Sequence, residues 1–118
     1  TATTEIYTLS LHDALPISLH VIYPAREDAI FDYDYYLDTH LPLVQEHWGQ
    51  VIEGVEVSKG LASGPDIPPT YLLIATITFP DMEALDNAMG EAGGAIVDDV
   101  PNFTNVRPQI LIGELIHG

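Results

Sequence analysis

The chain has 118 residues, no cysteine and a net charge of −15, from three basic and eighteen acidic side chains. That charge repels phosphate backbones and anionic membranes, so nucleic acid and membrane surfaces are excluded as partners. The missing cysteines exclude disulfides and thiolate chemistry, and no apolar run reaches the ~20 residues of a bilayer-spanning helix.

The length predicts one domain, and a hydrophobic fraction of 47% suffices for a core. The acidity has two readings that composition leaves open. One is plain solubility. The other is adaptation to high salt, where counter-ions screen the self-repulsion. With no spanning segment and no basic, apolar signal pattern at the start, the expected location is the cytoplasm.

The segment Thr1–Ser18 resembles, residue for residue, the translation of an adapter used in high-throughput DNA libraries. A targeting peptide fits it badly, because it has no Lys or Arg and carries Glu5 and Asp13. The genuine domain is therefore expected over residues 19–118. Without Glu5 and Asp13 the net charge moves only from −15 to −13.

Leu19 to Tyr23 is a short apolar run ending at Pro24 and predicts a strand, which Ile17 and Ser18 could extend by accident. Phe31 to Gly49 has a helical pattern interrupted by Pro42. A proline lacks an N–H and clashes with the carbonyl four residues back, so the helix is expected to break or restart near Thr39 to Leu41. Val51, Val55 and Val57 predict a second strand up to about Leu61. The prolines and glycine of Ala62–Thr70 predict a loop.

Tyr71 to Phe79 alternates cleanly and is the clearest strand. Asp81 is a good N-cap for a helix through Met89, with Gly90 past its end. Gly93 and Gly94 weaken the helical pattern beyond it, and Ala95–Asp99 predicts a further turn. Pro101–Thr104 reads as a loop, and Val106–Ile116 as a last strand at an edge or bend.

Strand, helix, strand, strand, helix, strand is the order of a ferredoxin-like βαββαβ α+β sandwich with an antiparallel sheet. Two helices cover one face. The other face of the third strand is also largely apolar, which predicts a second copy packed against it, giving a homodimer and a barrel-like core. The alternative is a monomer with Thr76 and Thr78 in water.

His40 is the leading catalytic candidate. Imidazole is the acid/base suited to neutral pH and to proton transfer on an enolisable or phenolic substrate. Tyr36, one turn earlier on the same face, could donate to a developing enolate or orient a carbonyl. Against this stands a purely structural His40, its ring tying backbone groups freed by the expected break. Tyr35 points to the core side and is also a candidate wall of a substrate pocket. Asp38 could orient a histidine or simply face solvent. Trp48 reads as packing and His47 as surface. Asn102, Phe103 and Thr104 form a loop at a strand entrance that could bind substrate. Turn chemistry is the competing reading for Asn102 and the preferred one for Asn105. His40 and His47 are seven apart but separated by Pro42, and His20 and His117 sit on terminal strands, so no metal site is expected. No phosphate loop, nucleophile elbow or dinucleotide fingerprint is present, and no cofactor is expected.

Three segments resemble the EthD family of small dimeric α/β-barrel proteins: Asp34-Tyr35-Tyr36-Leu37-Asp38-Thr39-His40-Leu41-Pro42-Leu43-Val44, Gly54-Val55-Glu56-Val57-Ser58-Lys59-Gly60-Leu61 and Val100-Pro101-Asn102-Phe103-Thr104-Asn105. Tyr23-Pro24 fits as well. The resemblance implies the dimeric barrel, a role beside an oxygenase in ethyl tert-butyl ether degradation, and His40 as the mark of a pocket. Relatives with this barrel include monooxygenases, cyclases and isomerases, so fold alone narrows activity weakly. Three hypotheses remain: a cofactor-free enzyme or oxygenase accessory binding a small hydrophobic or aromatic molecule, a non-catalytic carrier of such a molecule, and a structural dimer.

Overall fold

Side chains alternate across a strand, and in β1 (Ile17–Pro24) this sends Ile17, Leu19 and Tyr23 into the core. The computed structural model describes residues 15–117; most of the adapter-like segment, with Tyr7 and His12, lies outside them. β1 pairs antiparallel with β3 (Tyr71–Phe79) and with β4 (Gln109–Glu114), and β3 pairs antiparallel with β2 (Gly54–Lys59). The strand order β2-β3-β1-β4 is that of a ferredoxin-like α+β fold.

β1 begins inside the adapter-like segment. Ile17 sits opposite Phe79 and Glu114 and is buried. Ser18 is buried too, and its hydroxyl reaches the Gly113 carbonyl at 3.4 Å. An apolar residue followed by a small polar one is what this sheet position accepts, whatever its coding origin.

The first helical unit refines an expectation. It does not break between Thr39 and Leu41, but its α-helix does restart at Leu41. It runs as α1 (Tyr33–Tyr35), a π-helical turn (Tyr36–His40) and α2 (Leu41–Trp48). In the wide turn the Leu41 N–H reaches back five residues to the Tyr36 carbonyl. The extra residue lets Pro42 enter at the start of α2, where a missing N–H costs nothing. Asp32 caps the unit by accepting from the Tyr35 N–H at 3.0 Å.

The second helix also differs from its sequence reading. α3 (Met82–Asp98) is continuous through Gly90, Gly93 and Gly94. A helical glycine costs ~1 kcal/mol against alanine, but Leu85, Ala88, Ala92 and Ile96 bury one stripe of α3 and outweigh that cost. Asp81 caps it as expected, accepting from the Ala84 N–H at 2.8 Å. β2 and β4 are each shorter than predicted; Val51 lies in a turn, and a 3-10 turn (Val100–Asn102) precedes β4. The loop before β3 holds Asp66 at φ 61°.

Both helices cover one sheet face, and the core between them falls into two clusters. One is largely aliphatic: Leu19, Val44, Ile77, Leu85 and Ile96 with Trp48 and Phe79. The Trp48 indole donates to the Ala88 carbonyl at 3.0 Å and ties α2 to α3. The other is aromatic: Tyr23, Tyr36 and Phe103, with Leu73 and Ala75. The opposite face carries Ile22, Leu72, Ile74, Thr76 and Thr78, all half-buried, and Leu111, which is exposed. Ile17→Ala is expected to lower unfolding free energy by about 2 to 4 kcal/mol; a denaturant titration showing no loss would remove Ile17 from the core.

Candidate functional site

The π turn sets the site. Its ends, Tyr36 and His40, are its buried residues, and both rings point inward. The rings stack at 5.3 Å between centroids and 27°. Phe103 closes on both, at 5.2 Å from Tyr36 and 4.7 Å from His40. Tyr23 meets Tyr36 edge-on at 6.3 Å.

His40 makes no capping hydrogen bond. Its Nδ1 instead meets Asp99 Oδ2 at 2.9 Å, with the two side chains only 5% and 13% exposed. A carboxylate only accepts, so Nδ1 is the donor of this bond, and Nε2, the other edge of the ring, has no protein partner among the described residues. The other Asp99 oxygen accepts from the Tyr35 hydroxyl at 2.8 Å and from the Asn102 amide at 2.9 Å. Burial pushes the Asp99 carboxyl up, but the hydrogen bonds from Asn102, His40 and Tyr35, with the His40 charge, hold it below its ordinary value. The bond to Asp99 raises the Tyr35 hydroxyl, and burial adds to this.

Between the aromatic and aliphatic clusters lies a cavity of about 570 Å³. Its walls are mostly apolar, including Leu19, Ala75, Ile77 and Ile96, with Trp48 in the wall and Tyr23, Tyr36 and His40 among the lining residues. Burial lifts the Tyr36 phenol to about 12. It lifts the Tyr23 phenol further, with help from nearby Tyr36.

The candidates named from sequence divide clearly. Tyr36, His40 and Thr104 line the cavity. The Thr104 hydroxyl is already engaged, donating to the Ile30 carbonyl at 2.7 Å and accepting from the Val106 N–H. Tyr35 and Asn102 hold Asp99 rather than lining the cavity, and Phe103 is packed beneath His40 in the aromatic cluster. Asn105 fastens its loop to Ile30 and Asp28, 75 and 77 positions away, rather than through local turn bonds, and it also lines the cavity. Asp38 is exposed. The residue that orients the histidine is Asp99, 59 positions away, and no local spacing announces it. Among the described residues no group of three or more His, Asp or Glu is placed to hold a metal, and no helix is long and apolar enough to cross a membrane.

An antiparallel four-stranded sheet with two helices on one face and an open apolar pocket beside a His–Asp pair defines a ferredoxin-like α+β protein. The family model described as the EthD domain matches residues 27–107, and the chain belongs to that family. An EthD-like protein from Ralstonia eutropha JMP134 superposes with a TM-score of 0.81 at 32% identity, over 88% of this chain and 95% of its own. An ethyl tert-butyl ether degradation (EthD) family protein from Bacillus halodurans C-125 gives 0.68 at 23%, over 86% and 100%. A protein from Bacteroides fragilis NCTC 9343, described as dimeric, of unknown function and ferredoxin-like in fold, gives 0.54 at 13%, over 85% and 96%. No curated protein sequence matches the chain.

Because Asp99 titrates below its ordinary value of 3.8, its bonds stabilise the fold fully above that value and are lost as pH falls through the lower native value. Asp99→Asn is expected to cost about 1 to 2 kcal/mol at neutral pH and to flatten the loss of stability below pH 4. Equal acid limbs in pH-dependent melts of the two proteins would remove Asp99 as an anchor.

Proposed function

We propose that this protein binds a small hydrophobic or aromatic molecule in the cavity between helices and sheet and moves a proton on it without a cofactor. His40 is the acid/base, held by Asp99, and Tyr36 orients the reacting group. One observation carries this reading: an Nε2 edge with no partner among the described residues belongs to a buried histidine in the wall of an apolar cavity, with its other nitrogen fixed by a carboxylate. A purely structural histidine gains nothing from an adjoining space of this size. The volume lies within the ordinary range for small-molecule pockets.

Trp48 lines the cavity and is the chain's single tryptophan, so its fluorescence reports occupancy. Saturable quenching by nitrobenzene is expected. His40→Ala should retain that binding yet slow proton–deuterium exchange into a panel of aromatic ketones and phenols by about 100-fold or more. Exchange that is unchanged in His40→Ala would leave the non-catalytic carrier in its place.

A homodimer through the open sheet face is part of the same proposal. Supporting it are the half-buried apolar side chains Ile22, Leu72 and Ile74 with exposed Leu111 on one face, and the dimer described for the Bacteroides neighbour. Light scattering is expected to give twice the 12.9 kDa chain mass; a monomer mass at micromolar concentration would reject the dimer.

A further inference from the structure

Three polar atoms in the cavity wall have no protein hydrogen-bond partner among the described residues. They are the Tyr23 hydroxyl, the Tyr36 hydroxyl and His40 Nε2. The residues are 1%, 2% and 4% exposed. Other buried polar side chains are satisfied: the Ser18 and Thr104 hydroxyls and the Trp48 indole each find partners. Buried polar groups are normally paired. An exception repeated three times around one cavity points to a ligand that supplies the missing partners.

The nature of the three atoms restricts that ligand. Burial keeps both phenols protonated, and Tyr36 is close enough to raise Tyr23 further. With their rings 6.3 Å apart in the same cluster, they offer two neutral donors side by side. His40 offers a lone pair. The complement is an oxygen acceptor next to an acidic C–H, on a body that suits apolar walls. Two donors meeting one oxygen stabilise it most when it gains negative charge.

We propose that Tyr23 and Tyr36 together hold the oxygen of an enolisable carbonyl compound, a ketone or 1,3-dicarbonyl on an aromatic or aliphatic body, beside His40. This rests on the cavity being the ligand site. His40 Nε2 takes the proton from the carbon α to the carbonyl. The C–H electron pair forms the new C=C bond, and the carbonyl π pair moves onto oxygen, where both hydroxyls meet the charge. The imidazolium is balanced by Asp99. Returning the proton to the same or another carbon completes exchange or isomerisation and needs no oxidant, reductant or metal. Tyr23 thus joins the substrate-binding machinery from a strand, beside the π turn.

Two probes of similar shape separate the possibilities. 4-Nitrophenol, whose anion absorbs visible light, mimics a planar enolate; nitrobenzene shares its nitro group but lacks the ionisable phenolic oxygen. Quenching of Trp48 and the nitrophenolate absorbance are followed together. The wild type is expected to bind 4-nitrophenol as the anion, about tenfold or more tighter than nitrobenzene. Tyr23→Phe should lower nitrophenolate affinity about tenfold, which is about 1.4 kcal/mol, and leave nitrobenzene within twofold. It should also melt no lower than wild type, since the hydroxyl it removes has no protein partner. Nitrobenzene binding with no nitrophenolate preference, equal loss of both probes, or a lowered melting temperature in Tyr23→Phe would each overturn the tyrosine pair while leaving the cavity reading intact. Binding of neither probe would overturn both.

Discussion

A proline in the second position of a helical segment that must nonetheless stay continuous with the turn before it is the constraint on which the site depends. Pro42 can neither donate to a carbonyl nor tolerate the ordinary approach of the one four residues back. The chain meets this with one wide turn, Tyr36 to His40, and resumes an α-helix at Leu41. Such single π turns recur at functional sites, and the reason is visible here. Inserting one residue changes which side chains face inward without ending the helix. Tyr36 and His40 remain four apart and stacked, and both point to the sheet.

The wide turn aims the histidine, but a carboxylate from the far end of the chain fixes it. Asp99 comes directly after α3, and its two oxygens collect donors from His40, Tyr35 and Asn102. This couples the first helical unit to the end of α3 through one anion. In a chain of net charge −15, carboxylates are plentiful and cations scarce. Three donors from neutral or conditionally charged groups therefore do what an arginine would do elsewhere. With its oxygens so engaged, Asp99 is a positioning group for His40 and makes no demand on the cavity itself.

Much of the fold was legible because it rests on local periodicity. The alternation of Tyr71–Phe79, the cap at Asp81 and the strand–helix order lead to the βαββαβ sheet that is observed. Three features were not legible, for three physical reasons. The length of α3 was hidden because glycine propensity is a weak prior that a buried stripe through Ala92 and Ile96 overrides. The π turn was hidden because Pro42 signals a disturbance without saying whether the chain breaks or widens. Asp99 was hidden because its partner is 59 residues away, and only packing brings the two together. Tyr23 is an intermediate case. It read as the end of an apolar strand, and it is buried in the core; the signal lay in its hydroxyl, the one polar tip on the inward face of β1, whose fate a sequence cannot state.

That hydroxyl marks where stability and function part company. The aromatic cluster of Tyr23, Tyr36 and Phe103 would pack with phenylalanine at all three positions, and two buried phenols without partners among the described residues each cost ~1–3 kcal/mol relative to a paired state. Selection for stability alone favours removing them. Their presence beside His40, whose Nε2 is also unpaired among the described residues, concentrates the fold's departures from ordinary packing in one wall of one cavity. Elsewhere the polar interior is paired: Ser18, Trp48, Thr104 and Asp99 each find partners. Departures that cluster so tightly in an otherwise consistent structure are not the pattern of loose folding. It is the clustering, more than any single residue, that separates the pocket from a packing defect.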